Sequence, residues 1–357
     1  MNVAPLLYKV RRVSRLMQPQ SLEEVSEKRW VVCDSYQEVR KRAAISLEGQ
    51  FSRVYGLSHP GKTYEREVQL LNGEWRDPRR TVAYMLKNAT LIGSYVYCGR
   101  HKITLDKCSE KLFSAQEVQR YTEGSLGCTI TGNRFFSHWM TDNLTLELAG
   151  RDMSVPVVVT ECNFGHAAGY RELLNLDIEV GRVAKFESLI VFDDVAQNDY
   201  KRERYLELRS RLAALVQVPT EHPGAIILRG RSGRLRLLEN ELKVAEHLEK
   251  KYGFRVIDPS VMSPFEIVSA VQGCEIVLGV EGSAMAHGLF SVKDRGVVFI
   301  LQPPMRFNAL YKEYTDCIGL DLAYLVGAPT GKSGFVIDLD ELDRTLELVS
   351  NRDQARH

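Results

Sequence analysis

The chain has 357 residues, which is long enough for two domains that each bury their own core. Hydrophobic residues make up 44% and charged residues 26%, and no apolar run reaches the roughly 20 residues that a transmembrane helix needs. The formal net charge of +1 provides no overall field that would attract nucleic acid, so we expect no nucleic-acid partner.

Residues 1–17 form a basic N-terminal arm without the apolar segment of a secretory signal. A frayed, solvated terminus and an arm that touches a membrane surface both remain open for this stretch. The cysteines show no CxxC pair and no spacing typical of a metal site, which predicts free thiols in a reducing cytoplasm. They lie at positions 33, 98, 108, 128, 162, 274 and 317.

Residues 18–115 predict a β-rich region. Strand-like runs at Trp30–Cys33, Thr81–Lys87 and Thr90–Tyr97 are typical of an antiparallel sheet with one solvated face. Between them, the polar stretch Gly56–Arg80 predicts an exposed excursion.

The next segment contains the first chemical candidate. Thr129–Asn133 predicts the end of a strand, and Arg134–Leu148 fits a helix that Ser137 would cap. On such a helix His138 and Asp142 are four residues apart and can touch, which is the geometry of a candidate general base. The alternative is that His138 packs or caps while Asp142 is solvated.

A βαβ rhythm then predicts that the first domain finishes as an α/β layer. The strands are predicted at Val155–Thr160 and Leu189–Asp194, and the helices at Gly169–Leu176 and Asn198–Val216. Pro219–Gly224 contains two prolines and a glycine, which favours a domain boundary there.

The second half alternates strands and helices with short loops, which predicts a doubly wound parallel sheet with its ligand at the carboxyl ends of the strands. The predicted strands are Ala225–Gly230, Phe254–Asp258, Ile276–Val280, Gly296–Leu301 and Leu322–Val326. The predicted helices are Glu239–Tyr252, Pro264–Gln272, Ala284–Leu289, Phe307–Cys317 and the terminal Asp338–Leu348.

Three stretches converge on the predicted carboxyl edge of this sheet. Four arginines follow its first strand, and guanidinium groups suit phosphate oxygens. Glu281–Ser283 forms a glycine-bearing turn before a helix, where backbone N–H groups and the helix dipole favour an anion. An ordinary turn with no ligand is the alternative. Gln302–Asn308 ends in an aromatic and an amide that suit a nucleobase or ribose.

Rival chemistries lack their motifs, since the sequence contains no P-loop, GxGxxG, HExxH or GxSxG pattern. Asp193 and Asp194 come nearest to a metal motif, but adjacent strand residues point to opposite faces. We therefore expect no bound metal. The pattern instead fits arginines that stabilise a diphosphate leaving group.

The combined pattern resembles glycosyltransferase family 61 over roughly residues 125–330. Phe136–Asp142 is similar to the family's F-H-W-x-x-(D/E) helix. The family's R…R-x-x-x-N-E segment is similar to Arg229 followed by Arg234 or Arg236 and then Leu237–Glu241. Its GF and V-G-x-H-G-A-x-L segments are similar to Gly253-Phe254 and Ile276–Ala284. Two departures stand out. Glu281 occupies the place of the family's histidine, with His287 displaced along the helix, and an extra residue separates Phe136 from His138.

The resemblance implies an α/β, GT-B-like fold in which two Rossmann-type domains face each other across a cleft. Residues 18–218 would form the acceptor-side domain, with its additional β-rich region, and 219–335 the nucleotide-sugar-binding domain, followed by a helix and tail at 336–357. It implies inverting, metal-independent transfer of a hexosyl or pentosyl group from a nucleotide-sugar donor to a glycan or lipid-linked glycan acceptor. A bacterial enzyme of capsule or surface-polysaccharide biosynthesis is expected, in the cytoplasm or peripheral at the inner face of the plasma membrane.

In this scheme Asp142 is the base and His138 orients it, although either of the two can serve. Arg229 and Arg234, with Arg231 or Arg236 as substitutes, bind the donor diphosphate together with the backbone at Gly282–Ala284. The other donor-side candidates are Asn240, Glu281, Ser283, His287, Phe307, Asn308 and Tyr311. The alternative function is a catalytically silent nucleotide-binding or scaffold protein of a polysaccharide-assembly complex.

Overall fold

A computed structural model describes residues 4–13, 19–34, 41–75, 79–107, 117–216, 222–230, 236–331 and 333–352. The chain is α/β, with mixed sheets and helices, and it divides into two compact units. The first comprises Met1–Tyr36 and Pro78–Tyr205, and the second Gln37–Asp77 and Leu206–His357. In the described ranges, none of the helices combines the length and the apolar character needed to cross a bilayer.

The strands are β1 (Ser26–Cys33), β2 (Thr81–Ile92), β3 (Tyr95–Cys98), β4 (His101–Thr104), β5 (Gln119–Leu126), β6 (Val157–Val159), β7 (Glu179–Val180), β8 (Val183–Asp193), β9 (His222–Ile227), β10 (Leu237–Leu238), β11 (Arg255–Ile257), β12 (Cys274–Val280), β13 (Val297–Gln302), β14 (Asp321–Val326), β15 (Ala328–Thr330) and β16 (Gly334–Val336). The α-helices are α1 (Ala4–Val13), α2 (Leu22–Val25), α3 (Tyr64–Leu71), α4 (Ile130–Arg134), α5 (Phe136–His138), α6 (Leu144–Asp152), α7 (Ala167–Leu173), α8 (Asp199–Ala213), α9 (Glu241–Tyr252), α10 (Pro264–Val271), α11 (Ala286–Leu289), α12 (Leu310–Ile318) and α13 (Leu339–Ser350). A π-helical turn covers Trp139–Asn143, and 3₁₀ turns cover Phe51–Arg53 and Ser283–Met285.

The first unit is built on a mixed sheet in the order β4-β3-β2-β8-β5-β6-β7, with β1 also paired to β2. The strands around β2 pair antiparallel, as predicted, whereas β5, β6 and β7 run parallel to their neighbours. Thr81–Lys87 and Thr90–Ile92 were predicted as parts of two strands but belong to one. Asn88 interrupts the alternation at φ 53° without ending the pairing, because asparagine tolerates this left-handed conformation.

The segment before Asp142 is helical from Ile130 onward, so the predicted strand end at Thr129–Asn133 is wrong. The hydroxyl of Thr129 accepts a hydrogen bond from Gly132 N at 2.9 Å and caps α4. Thr129, rather than Ser137, therefore begins the helical segment. The helix breaks at Phe135 and resumes through α5, the π-helical turn and α6.

The second unit contains the predicted parallel sheet, which is confirmed in the order β11-β9-β12-β13-β14. Counted along the chain, this order is 2-1-3-4-5, a doubly wound arrangement whose direction of winding reverses between β9 and β12. Its core is formed by the inward faces of these strands with α9 and α13. A small sheet, β10-β16-β15, adjoins the same unit.

The described part of Gly56–Arg80 is more than an exposed excursion. It contains α3, and the chain just before it pairs with the strand ends of the second unit, since Gly56 N donates to Pro304 O at 3.2 Å. A Cβ on Gly56 would lie 2.2 Å from the carbonyl oxygen of Met305, so this close approach requires glycine. Gln37–Asp77 thus belongs to the second unit. The sequence prediction had assigned these residues to the first domain, residues 18–218.

Gly288 lets the turn after β12 pack closely on that strand. A Cβ on Gly288 would lie 2.4 Å from Cγ1 of Val277 and 3.1 Å from Cδ1 of Ile227. We expect Gly288→Ala to lower the free energy of unfolding by about 1–3 kcal/mol, because the added methyl overpacks a buried contact. Denaturant unfolding measures this. Gly165→Ala is the control, since that Cβ would have no neighbour within 4 Å, and equal midpoints for the two variants would contradict the prediction.

Candidate functional site

The π-helical turn carries Asp142 beside His138. The Nδ1 atom of His138 lies 2.8 Å from Oδ2 of Asp142, so the two side chains touch as their spacing indicates. Each side chain is 23% exposed, which leaves the pair within reach of a ligand. Turns of this kind occur frequently at functional sites, because the extra residue redirects side chains relative to a regular helix.

Behind Asp142 lies a buried charge network that the sequence analysis missed. The carboxylate of Asp194 accepts two hydrogen bonds from Arg204, both at 2.9 Å, and lies 2.7 Å from Nζ of Lys201. Burial raises the pKa of Asp194, but the charges of Arg204 and Lys201 outweigh it and hold that pKa well below its usual value. The Lys201 ammonium also lies 4.0 Å from Oδ1 of Asp142.

Aromatic packing fixes the other side of the turn. Trp139 is fully buried and stacks on Phe136 at 5.8 Å between ring centroids, with an interplanar angle of 16°. The guanidinium of Arg171 lies 5.3 Å from the Trp139 ring and pairs with the buried carboxylate of Glu147 at 2.5 Å. Burial raises the pKa of Glu147, and Arg171 opposes that shift. The turn is therefore held between an aromatic cluster and a charge network.

In the second unit, Arg229 and Arg236 lie beside the turn at Gly282. A Cβ on Gly282 would lie 3.4 Å from Nη2 of Arg236 and 3.7 Å from Nε of Arg229. Gly282 has φ 148°, a conformation that L side chains rarely adopt. The turn follows β12 and Arg229 follows β9, so they meet where the winding of the sheet reverses, the usual ligand position in such sheets.

Glu281 forms ion pairs with two of the arginines beside this turn. Its side chain is buried, forms an ion pair with Arg236, and lies 3.2 Å from Nη1 of Arg306. Asn308 Nδ2 donates to its second oxygen at 2.9 Å. Both carboxylate oxygens are therefore engaged by protein groups. Arg306 was not singled out from the sequence, although it follows the neighbouring strand β13 at the same edge.

The cluster has an excess of positive charge, because its three guanidinium groups face two carboxylates. Glu281 contacts Arg236 and Arg306, and the charge of Glu241 acts on Arg229. Burial, followed by repulsion from Arg306 and Arg229, lowers the pKa of Arg236 to about 9. Burial likewise lowers the pKa of Arg229 and of Arg306. Within the described residues, the buried Nε of Arg236 has no hydrogen-bond acceptor. An anion at this position would supply both acceptors and compensating charge.

Glu241 and Asn240 shape the loop around this cluster. The carboxylate of Glu241 accepts hydrogen bonds from the N–H groups of Arg229 at 2.8 Å and Gly230 at 2.9 Å. Asn240 exchanges hydrogen bonds with both backbone groups of Ile337. Both side chains therefore hold backbone segments around the cluster. Arg231 and Arg234 lie outside the described residues.

The remaining donor-side candidates divide between support and core. Tyr311 donates to Gly282 O at 2.8 Å, which stabilises the turn. Asn308 accepts from Lys62 Nζ at 2.8 Å as it holds Glu281. Phe307 is fully buried, with ring contacts to Phe51 and Tyr324, and so it packs in the core instead of facing a base.

The segment after Gly282 is a shorter helix than the sequence predicts. Ser283–Met285 forms a 3₁₀ turn, and only the four residues of α11 follow. Ser283 and Ala284 are half-buried at the turn, whereas His287 is buried. A helix this short contributes little dipole, so the arginines supply most of the positive potential.

The family model described as Glycosyltransferase 61 matches residues 136–298. This segment is similar to glycosyltransferase family 61. The family-61 segment begins at α5, beside the His138–Asp142 pair, and ends in β13, so it includes Arg229, Arg236 and Gly282 but not Arg306.

No protein with a curated description matches the sequence. Among solved structures, the metal-soaked Flv1 flavodiiron core from Synechocystis is 12% identical, with a TM-score of 0.25. That alignment covers 77% of this chain and 64% of the other chain. The chain thus spans about 64% of the length of that structure, and a similarity this low carries no argument.

Within the described ranges, no group of three or more His, Cys, Asp or Glu side chains is arranged to hold a metal ion. Beside Gly282, the polar groups that converge are arginines, one amide and one carboxylate.

Proposed function

We propose that the protein is an inverting, metal-independent glycosyltransferase that moves a sugar from a nucleotide-sugar donor to a glycan or lipid-linked glycan acceptor. The observation that carries the proposal is the meeting of Arg229 and Arg236 with Gly282 at the reversal point of the parallel sheet. The family-61 match over this segment supports it.

The donor diphosphate would lie against the guanidinium groups of Arg229, Arg236 and Arg306. A diphosphate would supply negative charge to a cluster in which Glu281 and Glu241 compensate only part of the positive charge. The N–H group of Ala284 lies at the half-buried turn and would add a donor. The same groups would stabilise the leaving diphosphate as charge develops on it.

The acceptor hydroxyl would lose its proton to the His138–Asp142 pair of the first unit. An inverting displacement needs one base on the side opposite the leaving group. The acceptor oxygen bonds to the anomeric carbon while the bond from that carbon to the diphosphate breaks, and the electron pair leaves with the diphosphate. The proposal thus assigns donor binding to the second unit and proton removal to the first.

The family resemblance also supports a GT-B-like class of fold and a role in bacterial capsule or surface-polysaccharide biosynthesis in the cytoplasm. The basic terminus, with Lys9, Arg11 and Arg12, motivates a peripheral contact with the membrane as part of the same proposal. Activity that EDTA leaves unchanged would agree with metal-independent transfer.

We expect nucleoside-diphosphate sugars to raise the melting temperature of the protein, because a ligand that binds only the native form stabilises it. At 100 times Kd the stabilisation is about 2.7 kcal/mol. A thermal-shift screen with UDP-, GDP-, dTDP- and CMP-linked sugars measures this, with free sugars as the control. A screen in which none of the nucleotides shifts the melting temperature would oppose the donor assignment.

The second candidate is a silent nucleotide-binding or scaffold protein. It is favoured by Glu281, whose carboxylate forms ion pairs with Arg236 and Arg306 and so competes with a ligand for them. Glu281 also occupies the position where the family resemblance predicts histidine. Incubation of the bound nucleotide sugar with the protein separates the two functions, because a silent protein shows neither donor hydrolysis nor transfer.

A further inference from the structure

Lys201 is a fully buried ammonium between two carboxylates of the first unit. Its Nζ lies 2.7 Å from Oδ2 of Asp194 and 4.0 Å from Oδ1 of Asp142, and donates to Oγ1 of Thr145 at 3.2 Å. Its side chain has no exposed surface. Burying a lysine ammonium costs free energy unless a negative charge lies beside it, so the partners of Lys201 indicate what its charge does.

The negative charge of Asp194 is already balanced by Arg204, without Lys201. Arg204 binds it through two parallel hydrogen bonds, and Thr81 donates a third at 2.8 Å. The buried cations Arg204 and Lys201 therefore outnumber Asp194, and Asp142 is the second anion within reach. The two cations are balanced by two anions only when the carboxylate of Asp142 is counted together with that of Asp194.

The two oxygens of Asp142 are oriented from different sides. Oδ2 faces Nδ1 of His138, while Oδ1 faces Lys201 and, at 3.5 Å, the hydroxyl of Thr141. A carboxylate held in this way accepts the Nδ1 proton of the imidazole, which leaves Nε2 with its lone pair. Among the described residues, Asp142 is the hydrogen-bond partner of the His138 ring.

We propose that Lys201 is a positioning residue for the transfer reaction, and that it orients the Asp142 carboxylate so that His138 offers Nε2 to the acceptor hydroxyl. This inference rests on the proposed function and assigns the two roles that the sequence leaves open. The acceptor proton moves to Nε2, the acceptor oxygen bonds to the anomeric carbon, and the diphosphate leaves with the electron pair of the broken bond. Asp142 remains a carboxylate and stabilises the imidazolium.

Removing the Lys201 charge has a signature that a structural role lacks. Lys201 lies 4.0 Å from Oδ1 of Asp142, so its removal frees the carboxylate whose Oδ2 holds Nδ1 of His138. We expect Lys201→Met to lower kcat by about tenfold while KM for the donor stays within about twofold, because the base is misplaced and the donor site is in the second unit. ¹⁵N NMR of histidine-labelled protein, assigned with His138→Gln, should show the His138 ring change from the tautomer protonated on Nδ1 to a mixture of tautomers.

The NMR measurement needs no activity, so it separates the two proposals. A protein without transferase activity whose His138 tautomer still responds to Lys201→Met would contradict the function but keep the coupling. An active protein whose kcat and ring tautomer are unchanged in Lys201→Met would overturn the positioning role. Lys312→Met is the matched control, because Lys312 is a buried lysine of the second unit paired with Asp316, and it should change stability without changing the His138 tautomer.

A double-mutant cycle covers the case in which Lys201→Met folds poorly. If Lys201 acts through Asp142, the loss of kcat caused by Lys201→Met should largely disappear in an Asp142→Asn background. Equal fold-losses in both backgrounds would overturn the proposal. Thermal unfolding of each variant shows whether the compared proteins are native at the assay temperature.

Discussion

Asp142→Asn is expected to lower kcat for sugar transfer by about 10³-fold while leaving nucleotide binding intact. A positioned general base contributes on this scale, and the carboxylate is needed whether Asp142 takes the proton itself or orients His138. The side chain is in the first unit, whereas the arginine cluster is in the second. Steady-state kinetics combined with calorimetric titration of the nucleoside diphosphate measure both quantities.

Asp152→Asn is the matched control, because Asp152 ends the same helical segment with a side chain that is 41% exposed. It should leave kcat unchanged. His138→Gln then separates the two assignments, since it should cost as much as Asp142→Asn if the imidazole is the base. Full turnover in Asp142→Asn would mean that the base lies elsewhere in the protein.

The parallel sheet of the second unit was largely predictable from the sequence, because strands buried on both faces appear as continuous apolar runs. Ile276–Val280 is the clearest case, and β12 extends it by only two residues. The first strand was displaced, since β9 already begins at His222 despite Pro223. Proline is tolerated near the start of a strand, so local composition gave no sign of that shift.

Two features depended on contacts that local patterns do not encode. Gly56 approaches Met305 across a large separation in sequence, and this attaches Gln37–Asp77 to the second unit. The helical course before Asp142 depends on Asn143, whose Oδ1 accepts a hydrogen bond from Thr129 N at 3.0 Å. Propensity alone favoured an excursion in the first case and a strand end in the second.

The candidate site likewise has one part that was predictable from the sequence and one part that was not. The meeting of Arg229 with Gly282 was predictable, because the carboxyl ends of neighbouring parallel strands lie at one edge of a sheet. Lys201 was not, because a lysine in an Arg- and Glu-rich helix is typical of a solvated face. Only its burial beside Asp194 and Asp142 indicates a role.

Arg236→Met is expected to weaken nucleoside-diphosphate binding by about 10- to 100-fold, the loss that accompanies one or two charge-assisted hydrogen bonds in a partly buried site. The fold should survive the change, because Arg306 and Asn308 still hold the carboxylate of Glu281. Methionine keeps most of the volume and removes the charge. Calorimetric titration at two salt concentrations measures the affinity and its electrostatic component.

Arg344→Met is the control for this prediction, because Arg344 is an arginine of the same unit whose side chain is 61% exposed. An exposed guanidinium contributes little, so its loss should leave the affinity within about twofold of the parent protein. Unchanged affinity in Arg236→Met, with a native melting temperature, would remove the arginine cluster from the donor site. The proposed function would then lose its main support, because Arg236 lies closest to Gly282 at the point where the sheet reverses.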